Sequence, residues 1–351
     1  MEFIRKSQGG KVGNTARVLV TGAGGFIGHH LVSSLRAQGY WVRGVDLKHP
    51  EFGASDAHEF EIRDLRKWED CLCSTAGVDE VYALAADMGG MGFISANHAQ
   101  ILHNNSLINL NCIEAARQNG IKRYLYTSSA CIYPEYRQTA TNCVPLKEEH
   151  AYPAAPQDAY GWEKLISERL CIHYGQDYGI ATRIVRFHNI FGPFGTWMGG
   201  REKAPAALCR KIAAARLEGL HEIEIWGDGE QTRSFCYIDD CVSGLQKLMR
   251  SDYCEPLNLG QDRMVSINQL VDIIANIAGM RVTKKYVPGP QGVRGRNSDN
   301  TRIREVLRWE PQISLEEGLR HTYEWIEKQV IELAAEYSFG VATFPVNPIS
   351  P

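Results

Sequence analysis

The chain has 351 residues, 44% of them hydrophobic and 23% charged, with a formal net charge of −3. This is the composition of a globular chain with room for one large or two ordinary cores. The charge offers no general attraction for nucleic acid or an anionic membrane, so any anionic ligand must be held by local arginines and lysines. No apolar run reaches the length of a membrane span, and the opening MEFIRKSQGGKVGN lacks the apolar centre of a signal peptide. Ten cysteines lie scattered without metal-ligand spacing; Cys71 and Cys73 are a single residue apart. Reduced thiols in the cytosol are the expectation, with no metal.

Residues 1–15 read as a loose arm. RVLVTG, ending at Gly22, predicts a buried strand, and HHLVSSLRAQG a helix with a glycine stop. WVRGVD and EVYALAA predict further strands, INLNCIEAARQNG a helix, and RYLYTSSA another strand. A long helix, AYGWEKLISERLCIHYGQDYG, then precedes the strand ATRIVRF. Strands alternating with helices over residues 16–190 predict a parallel sheet covered on both faces. From 191 to 330 the pattern loosens into short strands such as EIEIWG and a few helices. This predicts a smaller lobe that interleaves with the first and returns segments to it. Residues 331–351 read as a poorly ordered tail, since YSFGVATFPVNPISP has three prolines and no periodicity.

VLVTGAGGFIGHHL places Gly22, Gly25 and Gly28 between a strand and a helix. A backbone that turns tightly off a strand can approach a pyrophosphate closely, and the helix start at Phe26 and Ile27 offers it free N–H groups. Asp46 ends the second strand, where a carboxylate accepts ribose hydroxyls and repels a 2′-phosphate. NAD is therefore expected rather than NADP. Asp64, in IRDLR, follows another short strand within reach of an adenine amino group. In DAYGWEKL, Tyr160 and Lys164 are four apart and share a helical face, and Ser128 and Ser129 end the strand before them. A phenol beside an ammonium and a nicotinamide ribose is expected to have its pKa lowered from about 10, suiting it to proton exchange with a substrate hydroxyl.

The motifs TGAGGFIG, LAADMGGMGFI, SSACIYPE, PQDAYGWEKL, RFHNIFGPFGTWMGGREKAPAALCRK, WGDGEQTRSF and QGVRGRNSDN together resemble the extended short-chain dehydrogenases/reductases of the nucleotide-sugar epimerase and dehydratase group. The resemblance runs from about residue 16 to 328. It implies a Rossmann-like, doubly wound α/β fold, tightly held NAD and a homodimer. Within the group the chain closely resembles the plant-type branch, which inverts carbons 3 and 5 of GDP-mannose through a 4-keto sugar. A 4-epimerase or a 4,6-dehydratase of the same group is the nearest rival. A dehydratase, however, would want a carboxylate pair at Ala130 and Cys131.

The resemblance implies catalytic roles for Ser129, Tyr160, Lys164, Cys131 and Lys203. Cys131 falls two residues beyond Ser129, so strand alternation is expected to put both on one side. Lys203, in MGGREKAPAALCRK, is the opposing acid/base, its ammonium expected to be depressed by burial and by the cation Arg201. Arg233 and Arg296 are assigned to the diphosphate, with Gln231 and Thr232 beside them and Arg294 structural. Asn189 and Lys211 are expected at the nucleotide and Gly89 at the sugar, with Ala130, Glu202 and Ala204 lining the same site. Trp162, between Tyr160 and Lys164, departs from the usual smaller residue.

Overall fold

The computed structural model describes residues 16–338. It begins with β1 (Arg17–Thr21), α1 (Phe26–Ala37), β2 (Trp41–Asp46), β3 (Glu59–Ile62) and α2 (Trp68–Thr75). β4 (Glu80–Ala83), α3 (Met91–Ala96), α4 (His98–Gln118), β5 (Arg123–Ser129), α5 (Ala159–Tyr178) and β6 (Ala181–Phe187) follow. Val18, Leu19, Val20, Val81 and Tyr82 are wholly buried. Strands covered on both faces need no polar alternation, which is why they read as unbroken apolar runs.

β7 (Ile190–Phe191), α6 (Ala204–Glu218), β8 (Glu222–Trp226), β9 (Thr232–Ser234), β10 (Cys236–Tyr237) and α7 (Ile238–Arg250) come next. The chain then forms β11 (Leu257–Leu259), β12 (Met264–Ser266), α8 (Ile267–Ala278), β13 (Thr283–Val287), β14 (Gly295–Arg296), α9 (Thr301–Leu307) and α10 (Leu315–Ser338).

Seven parallel strands form the main sheet in the order β11-β6-β5-β4-β1-β2-β3. The fold is the expected Rossmann-like one. Its strand order reverses between β1 and β4, and ligands of such sheets bind outside the carboxyl ends of the strands at that switch point. The smaller sheets are β10-β7, β12-β9-β14 and β13-β8.

β11 closes one edge of the main sheet through a buried polar network. Asn258 donates its N–H to Glu148 Oε1 at 3.0 Å, and its Oδ1 accepts from Tyr133 Oη at 2.6 Å and His188 Nε2 at 3.0 Å. Arg186 forks onto Glu168 at 2.9 and 2.8 Å, and gives its third nitrogen to Tyr133 and the Glu148 carbonyl. Every buried charge here has a partner, as burial demands.

The expected tail boundary at 331 needs correcting. α10 continues through it to Ser338, its buried stripe of Leu319, Tyr323, Ile326 and Val330 carried on by Leu333, which is partly buried against the same core. The rest of the tail and residues 1–15 lie outside the described residues. All ten cysteines are free thiols. Among the described residues no helix is long and apolar enough to cross a membrane.

Candidate active site

The glycine turn sits at the switch point. Gly22 has φ +70°, and a Cβ there would meet the Ala85 nitrogen at 2.9 Å. A Cβ on Gly28 would lie 2.1 Å from the Gly22 carbonyl oxygen, so helix and turn can pack this closely only without side chains. α1 starts after Gly25 with no side-chain cap and no acid in its first turn, leaving the N-terminal amides of Phe26 and Ile27 to an anion. Asp46 braces the turn. Its carboxylate accepts from the N–H groups of Gly24 at 2.9 Å, Leu47 at 2.6 Å and Lys48 at 3.3 Å, while burial pushes its pKa up. Asp64 is gripped by Arg66 through two 2.8 Å bonds, which hold its carboxyl below the usual range. An uncapped helix start behind a side-chain-free turn fits a dinucleotide pyrophosphate.

The second cluster forms where α5 meets the end of β5. Asp158 caps α5 by accepting from the Gly161 N–H at 2.8 Å. A Cβ on Gly161 would lie 2.2 Å from the Cys131 carbonyl oxygen, so this glycine lets Tyr160 approach Cys131. Lys164 Nζ donates to the Thr127 carbonyl at 3.0 Å and stands 5.6 Å from the Tyr160 ring centre. The Ser129 hydroxyl is within hydrogen-bonding reach of Tyr160. Two expectations change here. Burial, with Cys131 and Glu163 nearby, raises the Tyr160 phenol rather than lowering it, and burial lowers Lys164. Nor does Cys131 lie on the strand. β5 stops at Ser129, whose Oγ accepts from the Cys131 N–H at 3.2 Å and caps a single turn over Ala130–Ile132. That cap, not strand alternation, keeps the two side by side.

Lys203 is the N-cap residue of α6, with Ala204 and Pro205 opening the helix. Burial lowers its ammonium, and the thiols of Cys131 and Cys241 act on it in the opposite sense. Arg201 plays no part in the shift, contrary to expectation. It pairs instead with Asp87 at 3.3 Å, lies 3.8 Å over the Phe93 ring, and accepts the Gly90 N–H on its carbonyl at 2.9 Å. Glu202 bonds Arg210 at 3.1 Å and the Gly200 N–H at 2.7 Å. The loop bearing Lys203 is thus clasped from both sides. Gly89 adjoins Phe93 in the facing segment.

β9 and β14 run parallel with Arg233 directly opposite Arg296. Burial and the neighbouring Arg296 push Arg233 down to about 9. Arg233 donates to the carbonyls of Thr232, Gln291 and Val293; Arg296 donates to Gln138 Oε1 at 2.5 Å and Cys131 Sγ at 3.2 Å. Among the described residues neither has a carboxylate partner, so the buried Arg296 and the half-buried Arg233 stand side by side unneutralised, Arg296 against the thiol. Arg294, by contrast, forks onto Asp228 at 2.8 and 2.7 Å. Gln231 is buried with its Oε1 unpartnered, and Thr232 Oγ1 donates to the Thr141 carbonyl at 2.5 Å. Asn189, at φ +47°, donates to the Ser234 carbonyl at 2.9 Å, and Lys211 to the Glu224 carbonyl at 2.8 Å. Sequence reasoning missed Gln138 and Asp87, neither of which carries a spacing signal.

The model of the NAD dependent epimerase/dehydratase family matches residues 18–260. The chain belongs to that family. This epimerase/dehydratase is 54% identical over 316 residues to GDP-mannose 3,5-epimerase 1 of Oryza sativa subsp. japonica, across 90% of this chain and 82% of that one. UDP-glucose 4-epimerase of Thermotoga maritima, solved with UDP-glucose, superposes with a TM-score of 0.80 at 27% identity, over 90% and 99% of the two chains. UDP-glucuronic acid 4-epimerase of Bacillus cereus, solved with UDP-glucuronic acid and NAD, superposes at 0.75 and 26%, over 89% and 99%. The cofactor of this epimerase/dehydratase family member is NAD.

Proposed function

We propose that the protein is an isomerase converting GDP-α-D-mannose to GDP-β-L-galactose by inversion at carbons 3 and 5 through a 4-keto sugar. Inversion at carbon 5 alone gives GDP-L-gulose. The observation that carries this reading is the Cys131 thiol packed against Tyr160, together with the half-buried Lys203, on whose ammonium the same thiol acts. An enzyme that acts on carbon 4 alone has no use for two further acid/base groups. The named relative in rice supports the same substrate.

A proton on a sugar carbon flanked only by hydroxyl or ether oxygens is too weak an acid for a side chain to remove. Bound NAD supplies reversible hydride acceptance from carbon 4. Tyr160, with the Ser129 hydroxyl in reach, would take the carbon-4 hydroxyl proton as the phenolate, the positive charge of Lys164 and of the nicotinamide of bound NAD offsetting the burial that raises its phenol. The resulting ketone acidifies carbons 3 and 5. Of Cys131 and Lys203, one removes the proton from a flanking carbon and the other returns a proton to the opposite face. Tyr160 then gives its proton back as carbon 4 is reduced. Arg233 and Arg296 hold the diphosphate, matching two adjacent cations without counter-ions to two phosphates. Asn189, Gln231 and Lys211 bound the nucleotide side, and Gly89, Glu202 and Ala204 the sugar side.

The assembly we propose is a homodimer. α4 exposes Leu102 and Leu110, and α5 exposes Trp162 and Ile166. This apolar face accounts for the large residue at 162. The free thiols fit a cytosolic enzyme, and its product would supply L-galactose for ascorbate and cell-wall synthesis.

Proton NMR of GDP-mannose with the protein in deuterated water tests the reading. Exchange at carbons 3 and 5 supports it. Turnover without exchange at either carbon would make the protein a 4-epimerase.

A further inference from the structure

The cavity at the glycine turn has an unusual far wall. Gly24, Gly25 and Phe26 line one side of it; Lys48 and Phe52, from the segment after β2, and Phe194, from the loop after β7, line the other. The Phe194 ring lies 6.0 Å from His29 and 5.7 Å from His30 on α1, and 5.5 Å from Trp325 on α10. Trp325 in turn meets Phe52 edge-on at 5.0 Å. Four segments distant in sequence therefore converge in one aromatic cluster over the turn. None of these rings has a part in the chemistry above.

Phe194 is held at φ +61°, a left-handed conformation that residues with a Cβ rarely adopt. Such strain persists only where surroundings over-determine it, and it concentrates at ligand clamps. Here the surroundings are the three rings and a 3.0 Å contact from His30 Nε2 to the carbonyl of the preceding Pro193. Phe194 is still 37% exposed, so it sits at the rim rather than in the core.

We infer that Phe194, Phe52 and Trp325 form a clasp over the pyrophosphate of NAD, with α10 as its strap, and that this clasp makes cofactor release slow. The inference rests on the cofactor's binding at the glycine turn. Its chemical sense follows from the proposed reaction, in which hydride removed from a sugar returns to that same sugar. A cofactor regenerated in every cycle has no need to leave. The opening through which its phosphates could leave can therefore be shut by side chains.

The test is the rate of NAD release from the full chain, followed by chase with excess fluorescent etheno-NAD, with NAD per chain counted after denaturation. The wild type should keep its NAD through gel filtration. Phe194→Ala, Phe52→Ala and Trp325→Ala should each release it faster, by about tenfold for the loss of an aromatic contact. Phe194→Tyr should retain it, and Phe194→Gly, which removes both ring and strain, should behave like Phe194→Ala. If Trp325→Ala fails to fold, the rim residue Phe194 decides the matter. Release from a folded Phe194→Ala at the wild-type rate overturns the clasp. A wild type that binds no NAD overturns the underlying cofactor site as well, and the two failures are separable because one is seen in the variant and the other in the parent.

Discussion

Arg296 directs Nη1 to the sulfur of Cys131 at 3.2 Å and Nε to Gln138 Oε1 at 2.5 Å. Gln138 is itself buried and anchored, donating to the carbonyls of Tyr133 at 3.0 Å and Pro134 at 3.2 Å. The guanidinium therefore reaches the thiol proposed to act as acid/base, besides the diphosphate that it is proposed to hold. Arg296→Ala should raise KM and also lower kcat, each by roughly 10–100-fold for a charge-assisted hydrogen bond lost. Arg296→Lys should recover part of KM and less of kcat, since an ammonium keeps the charge without the fork. Steady-state kinetics on GDP-mannose read both. An unchanged kcat would reduce Arg296 to a binding residue.

The Asp87–Arg201 pair predicts a different defect. It ties the loop before Lys203 to the segment facing the sugar, so cutting it should displace Lys203 without touching Cys131. Arg201→Ala should slow deuterium incorporation at one of carbons 3 and 5 about tenfold more than at the other. Arg201→Lys should be milder. Equal slowing at both carbons would show that the pair merely stabilises the fold.

Lys203→Ala and Cys131→Ala should each lose on the order of 10²–10⁴-fold in double inversion, the range for general acid/base groups. Oxidation at carbon 4 should survive, so reduced cofactor or keto-sugar should accumulate and show in absorbance. Tyr160→Phe should bind GDP-mannose nearly as well as wild type by calorimetry yet accumulate neither. Wild-type exchange at both carbons in Lys203→Ala would leave Lys203 a positioning role only.

Much of this site is legible in the sequence. The buried strand 17–21 announces itself as an apolar run after Arg17, and the three glycines stand where strand meets helix. Short-range patterns carry little about side-chain partners, however. Cys131 reaches Ser129 through a capped turn that alternation does not describe, and Arg201 follows Asp87 instead of Lys203. The strand at 257–259 leaves no sequence signal because three residues ending in a turn have no period to read. Phe52, Phe194 and Trp325 are separated by more than a hundred residues at each step, so nothing local links them.

Acid should act through His188. Burial holds it neutral, with its pKa pushed down to about 3 and its Nε2 committed to Asn258. Unfolded, it titrates near 6.5. Between those values the unfolded chain binds a proton that the folded chain does not, so stability falls as pH drops below about 6.5, by about 1.4 kcal/mol per unit. His188→Gln can keep the donor to Asn258 without the titration. The stability of wild type relative to this variant should therefore shrink by about 2 kcal/mol between pH 7 and 5, measured by urea unfolding. A constant difference would remove His188 from the acid response.

The edge strand β11 has a bearing on how the chain is made. It arrives about seventy residues after β6, the strand it covers, and brings Asn258, the partner of Tyr133, His188 and Glu148. A ribosome that has released only the first 250 residues has delivered six of the seven sheet strands, with β6 as an open edge. Such an edge is a template for pairing with another chain. Nascent chains halted before residue 257 should therefore be the aggregating species, and those carried past 259 should acquire protease resistance in a single step.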